Sequence, residues 1–350
     1  MNRLMDRRVT GGRLTSRRVL AAGLALVVLA LLAAMAASVM LGVRMFGFGQ
    51  VWQAYSRFDG SNGHLIITTS RVPRTLLAAA VGASLAVAGA VMQAVTRNDL
   101  ASPSVLGINA GASLCAVAAL VWLGPSLTMN GMIRFALGGA AASAAVVYAL
   151  GLTGGNRLEP ARLTIAGSTI AAFAASLTSG LILLNNQSLD DALFWMLGSV
   201  SGRKLEHLEQ VFPYMAAGWL LAGLIAESLN VLTLGEDNAR GLGLRLRLVQ
   251  AIAALSVILL AGSSVAAAGP IAFVGLMVPH LCRFFTGPDH RWLLPWCAAA
   301  GALLLVAADL LSRFVLMPKE VPVGITTALI GVPFLIYVAR RRKHARTGIV

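Results

Sequence analysis

The stretch TLLAAAVGASLAVAGAVMQAV at residues 75–95 contains no Asp, Glu, Lys or Arg, and it is bounded by Arg71 and Arg74 on one side and Arg97 on the other. An α-helix needs about 20 apolar residues to cross the hydrocarbon core of a bilayer, so this run predicts a membrane-spanning helix. Working outward from it, similar runs lie at 19–41, 104–123, 133–152, 163–184, 210–230, 248–267, 270–285, 292–312 and 324–339. What remains is a basic N-terminal tail, polar segments at 43–74 and 185–209, and short connectors, too little chain for a separate soluble domain. The expectation is an all-α polytopic membrane protein of about ten transmembrane helices in one bundle. A single membrane domain at 19–341 lies between tails at 1–18 and 342–350. Small residues inside the runs, among them Gly82, Ser84, Ala86, Gly89, Gly138 and Gly139, predict close approach of neighbouring helices, because packing must replace the hydrophobic drive that lipid removes.

Composition agrees with that class: the 350 residues are 57% hydrophobic and 12% charged, where a soluble globule carries about 25% charged residues. The 28 Lys+Arg exceed the 14 Asp+Glu, giving a net charge of +14. Such an excess can serve nucleic acid, anionic lipid or membrane topology, and its placement decides between them. With ten crossings and loops assigned alternately, 19 basic residues fall on one side and 9 on the other, the smaller set being Arg44, Arg57, Arg71, Arg74, Arg134, Arg203, Lys204, Arg313 and Lys319. The positive-inside rule puts the larger set, with both termini, in the cytoplasm. The excess is therefore mainly topology, and no nucleic-acid partner is expected. The first run follows Arg17 and Arg18 but extends beyond twenty residues, longer than the 7–15 of a signal peptide's apolar region, and reads as the first membrane helix.

Catalytic patterns are missing. The lysines are Lys204, Lys319 and Lys343, none of which follows a glycine, so there is no Walker A loop. His-Glu-x-x-His, Gly-x-Ser-Gly and Gly-x-Gly-Asp are likewise absent. Cys115, Cys282 and Cys297 lie in apolar stretches without metal or redox spacing and read as buried small hydrophobes. His280 and Cys282, two residues apart, point to different faces of a helix, so His280 reads as structural and no metal site is expected. Asp309 is the one carboxylate placed for intramembrane proton transfer, which leaves a proton-coupled secondary transporter using Asp309 and Arg313 as a reading from a different class. Asp309 also lies four residues before Arg313, the spacing of a structural ion pair on one helix face.

Two groups of residues suit partner docking. Arg71, Arg74 and Arg313 lie at helix ends on the expected outer side, against the positive-inside trend, and permanently charged forked donors there suit acidic residues of a soluble protein. Snorkelling to lipid headgroups is the alternative. On the inner side, the loop at about 232–247 carries Gly235, Glu236, Ala239, Arg240, Leu242 and Gly243. Its acid-first, arginine-later order closed by glycine predicts a short helix, readable as a docking element or as a solvated connector.

The blocks RVPRTLLAAAVGASLAVAGAVMQAVTRNDLASPSVLGINAGA at 71–112, FWMLGSVSG at 194–202, LGEDNARGLGL at 234–244, AGPIAFVGLMVPHLCR at 268–283, ADLLSR at 308–313 and EVPVGITTALIGVPFLIYVARRR at 320–342 resemble the FecCD family. These are permease subunits of bacterial ABC importers for iron chelates and cobalamin, with the type II importer fold. The resemblance covers about 66–340. It implies a plasma (inner) membrane subunit that pairs with a second permease, two ATP-binding subunits and an external substrate-binding protein. A ferric siderophore-type substrate is implied, with cobalamin or haem as alternatives, and ATP and Mg belong to the partner subunits, this chain holding no cofactor. It further implies that Arg71, Arg74 and Arg313 meet acidic residues of the binding protein, and that 234–244 forms the coupling helices seated in the ATPases. One departure is Asp99, where the family usually has proline after Asn98, which leaves the geometry of that turn open.

Overall fold

The structure, a computed structural model, describes residues 16–152, 160–184, 189–316 and 319–347. Most of the expected N-terminal tail, the last three residues and Arg157 lie outside them. The described chain forms α1 (Arg17–Met40), α2 (Phe48–Ser56), α3 (Asn62–Ile66), α4 (Val72–Thr96), α5 (Ile108–Leu123), α6 (Met129–Leu152), α7 (Pro160–Leu184) and α8 (Leu189–Met196). It continues with α9 (Leu205–Leu224), α10 (Ala226–Thr233), α11 (Glu236–Gly241), α12 (Leu246–Ala268), α13 (Val274–Thr286), α14 (His290–Ser312) and α15 (Val323–Thr347).

Each apolar run folds as helix, but not each is a full-length span. Six helices are long and apolar enough to cross a membrane, and α9 with α10, bent by 54° at Ile225, makes up to seven. The runs at 104–123, 270–285 and 324–339 give shorter apolar helices. Local chemistry explains two of them. Gly107 (φ 67°) and Gly124 (φ 51°) bracket α5, while Gly269-Pro270 and Phe273 (φ 70°) delay the start of α13. The segment 43–74, expected as polar connector, also contains helix. A π-helical turn at Ile67–Arg71 joins α3 to α4, and this wider turn accommodates Pro73, which has no N–H to donate.

The most hydrophobic segment is not the most central. In α1 only 6% of the apolar window is buried within the chain, against 83% in the span containing α4, so α4 is the axis and α1 lies at the periphery. Glycines explain how α4 acquires close neighbours. A methyl group on Gly82 would overlap the carbonyl oxygen of Gly301 on α14, and one on Gly89 would overlap that of Gly275 on α13. The first contact also sets register. α4 and α14 pack antiparallel, and Arg74 precedes Gly82 by the same eight residues that separate Gly301 from Asp309, so the glycine contact brings that arginine and that carboxylate level with each other.

Polar contacts gather at two ends of the bundle. At one end the start of α4, the end of α14, the end of α1, the 197–204 connector and Glu320 converge, and Ser199 N–H donates to Ala268 O at the end of α12 (2.7 Å). At the other, Asp99 after α4 pairs with Arg283 on α13 (3.1 Å), and Asn230 Nδ2 on α10 donates to Asp289 Oδ1 before α14 (2.7 Å).

Candidate functional site

The first end is organised around Asp309. Arg74 Nε donates to both its oxygens at 3.0 Å and Nη2 donates to Oδ1 at 2.8 Å, while Arg313 Nη2 donates to Oδ2 at 2.6 Å. One carboxylate thus joins α4 to α14 through two guanidinium groups. Arg74 Nη1 reaches Glu320 Oε2 at 2.6 Å, and Ser201 Oγ also donates to that oxygen at 3.0 Å. Arg313 Nη1 donates to Ser38 O at 2.6 Å and Nη2 to Ser38 Oγ at 2.9 Å, tying in α1. Arg71 donates to the carbonyls of Val39 in the last turn of α1 (3.3 Å) and of Leu41 and Arg44 (2.7 Å) just after it, and lies over the Phe46 ring. Partial burial pushes the Glu320 carboxyl up, but Arg74 and the hydrogen bonds it receives outweigh this and hold it below its ordinary value.

The three arginines therefore come together as the sequence suggested, but they are not displayed. Arg71, Arg74 and Arg313 are 9%, 7% and 2% exposed. The physical reason is that a guanidinium withdrawn from water needs its donors satisfied, and carbonyls at the end of α1 with Asp309 supply the acceptors within this chain. The sequence reveals the i,i+4 pair of Asp309 and Arg313, whereas Arg74 reaches Asp309 across 235 positions of chain and becomes visible only once α4 and α14 are aligned. Both oxygens of Asp309 accept from guanidinium donors, the arrangement of a structural ion pair.

The opposite end presents α11. Gly235 opens it in a conformation only glycine adopts readily (φ 106°), and Gly243 (φ 78°) follows its close. Ala239 N–H donates to Gly235 O at 2.9 Å and Leu244 N–H to Ala239 O at 3.0 Å. Ala239 is fully buried and seats the helix, while Leu234 and Leu242 on either side stand 61% and 68% exposed next to Asp237, Arg240 and Arg245. Glu236 begins the helix, and its side chain lies outside the described residues. An apolar pair displayed among charges, at a helix end in water, has the makeup of a protein contact.

Sequence reading missed two features. Asp99, in the turn after α4, is paired with Arg283, and Asn98 Oδ1 accepts from Leu100 N–H at 3.0 Å, so a side-chain turn and an ion pair hold the place where proline would stiffen the chain. Arg203 is buried and lines a pocket between α5, α6 and α8; an arginine in the short connector after α8 was the available signal. His280 packs edge-on against Phe334 of α15 with ring centroids 5.7 Å apart. The cysteines are unbridged, Cys282 and Cys297 buried and Cys115 half-buried. Among the described residues no cluster of His, Cys, Asp and Glu could hold a metal ion.

Comparison with known proteins bears on this arrangement of ends and axis. The sequence model of the FecCD transport family matches residues 29–341. The chain is 48% identical over 311 residues to the probable siderophore transport system permease protein YfiZ of Bacillus subtilis (strain 168), covering 89% of this chain and 93% of that one. It is 46% identical over 289 residues to the Fe(3+)-citrate import system permease protein YfmD of the same organism, covering 83% and 85%. Among solved structures it is similar to an ABC transporter described as of metal-chelate type, in an inward-facing conformation, with a TM-score of 0.78, 25% identity, and coverage of 91% of this chain and 98% of that one. A helical bundle tied by a buried carboxylate at one end, displaying a short helix at the other and matching that family over nearly its whole length, is a non-catalytic permease subunit of an ABC importer: the chain belongs to the FecCD transport family.

Proposed function

We propose that this permease carries a ferric siderophore or related metal chelate from outside to the cytoplasm across a bacterial plasma (inner) membrane. It would do so with a second permease subunit, two ATP-binding subunits that hold ATP and Mg, and an external binding protein that delivers the chelate. The permease domain spans 19–341 and crosses ten times with both termini inside. The two ends support that count. α4 runs from the Arg74 end to the Asp99 end, α9 with α10 from Ser201 to Asn230, and α14 from Asp289 back to Arg313. The 13-residue α13 follows Ala268 at the first end and reaches Arg283 at the second, so it too traverses the bundle despite its length.

Arg71, Arg74 and Arg313 are assigned to binding-protein docking through their shared cluster. Glu320 is the accessible member, with its side chain 34% exposed, and an acidic residue of the binding protein would compete with it for Arg74 Nη1. Gly235, Glu236, Ala239, Arg240, Leu242 and Gly243 form the coupling element toward the ATPase.

The observation that carries the reading is α11, a short helix anchored by buried Ala239 and flanked by exposed Leu234 and Leu242. In proteoliposomes with the binding protein outside and ATPase subunits attached, chelate uptake should require ATP, and Leu242→Glu should cut uptake by at least tenfold while the permease keeps its normal elution. Uptake driven by a proton gradient without ATP, or normal ATP-driven uptake by the variant, would overturn it.

A further inference from the structure

A pocket of about 370 Å³ opens at the Arg74 end of the bundle, walled by Leu120 of α5, Met132 of α6, Trp195 of α8 and the 197–204 connector. Arg203 lines it and is 6% exposed, yet among the described residues its charge has no counterpart. Nη1 donates only to Met129 Sδ at 2.7 Å, a weak acceptor, and Nε has no partner among the described residues. Burial lowers its pKa to about 10, so it remains charged at neutral pH. Trp195 lines the same pocket, and its indole N–H is also buried and unpartnered. Ser199, Ser201 and Thr128 add hydroxyls, and among the described residues no carboxylate lines the pocket.

Leaving a buried guanidinium without an acid is costly; at this end Arg74 has two carboxylates and Arg313 one, and Arg71 has backbone carbonyls, whereas Arg203 has only a thioether. Apart from Ser201, whose hydroxyl donates to Glu320, the described lining supplies donors with nothing ionised to accept from them, the requirement of an anion. Leu120, Leu127 and Met132 supply apolar wall, which suits a carbon skeleton better than a bare inorganic ion. With a water occupying about 30 Å³, the volume holds on the order of a dozen waters. That is more than one acidic side chain fills, and it lies within the roughly 300–1,000 Å³ of small-molecule pockets.

We propose that this pocket binds a small polycarboxylate anion, with one carboxylate held by the Arg203 guanidinium and the Trp195 indole N–H, and the rest of the molecule against Leu120, Leu127 and Met132. Ser201 connects it to the Asp309 cluster, since its hydroxyl lines the pocket and donates to Glu320. Binding requires this chain alone, whereas a role for it in passing a carboxylate-bearing chelate rests on the transport reading above.

The test is equilibrium dialysis of radiolabelled citrate against the purified full-length protein in detergent, at constant ionic strength set with chloride. Saturable binding is expected, weakened at least tenfold by Arg203→Gln and about fivefold by Trp195→Phe, the latter being one hydrogen bond of about 1 kcal/mol; Arg57→Gln, on the exposed outer surface, should leave it unchanged. Trp195→Phe keeps the charge and the ring, so it decides the matter should Arg203→Gln lose its monodisperse elution. The proposal is overturned by no saturable binding to the wild type, by equal affinity in wild type and Trp195→Phe, or by inorganic phosphate binding in preference to citrate. None of these outcomes depends on ATP-driven uptake, so the site and the transport reading fail separately.

Discussion

Asp309 is the residue on which the Arg74 end depends, because it is the shared acceptor of two guanidinium groups, and among the described residues Arg313 has no other carboxylate while Arg74 has only the partly exposed Glu320 besides. Removing one member of a buried ion pair costs about 3–5 kcal/mol, since the partner stays buried and uncompensated. Asp309→Asn keeps the shape and removes the charge, so the purified protein should lose on the order of that amount in stability, read as a large drop in its thermal unfolding temperature in detergent. Glu320→Gln should cost far less, because Glu320 is about a third exposed and solvent screens it. The sign of its pH dependence is also fixed. A carboxyl held below its ordinary value contributes stability above that value and loses it as pH falls through the depressed one, so the wild type should lose part of its stability in acid that Glu320→Gln never had. An unfolding temperature for Asp309→Asn equal to that of the wild type would sink the shared-acceptor account.

At the scale of elements, small residues decide which helices can approach. Gly89 on α4 faces the Gly275 carbonyl of α13 with no room for a methyl group, while Gly138 on α6 has nothing near the position a Cβ would take. Overpacking in a tight interior costs typically about 1–3 kcal/mol. Gly89→Val is therefore expected to lower the unfolding temperature markedly and Gly138→Val to leave it within about 0.5 kcal/mol, in paired melts of the two variants. Equal melts would mean that the close approach is not a constraint. Much of this level is legible in the sequence, where charge-free runs announce helices and Gly82, Gly89 and Gly139 announce close packing, although Gly138, expected to do the same, faces open space. Other elements are not legible, and for physical reasons. The π-helical turn at Ile67–Arg71 continues helix into a segment whose polar residues read as loop, and the break at Ile225 contains no proline, only Gly223 two residues before it. The burial of Arg71 depends on carbonyls at and just after the end of α1, some thirty residues away, and periodicity contains nothing about such contacts.

At the scale of the whole molecule the deciding quantity is the number of crossings, since one crossing more or fewer exchanges the two faces of every later loop. Length alone supports six or seven spans, because α5, α13 and α15 are short. The end-to-end contacts argue for more: Ala268 before α13 accepts from Ser199 at the Arg74 end, and Arg283 at the foot of α13 pairs with Asp99 at the opposite end, so the short α13 runs between the two ends. Short helices can traverse where non-helical backbone such as Gly269–Phe273 is shielded by protein from lipid, and Gly331 of α15 is packed directly against Phe273. The ten-crossing arrangement predicts the reaction of single cysteines with a membrane-impermeant maleimide, in a background where Cys115, Cys282 and Cys297 are alanine. Arg57→Cys and Lys204→Cys should label in intact cells, and Arg240→Cys and Arg291→Cys only in inverted vesicles, all four positions being exposed in the structure. Labelling of Arg240→Cys in intact cells would place α11 outside, out of reach of any cytoplasmic ATPase, and the proposed coupling of that helix to ATP hydrolysis would fall with the topology.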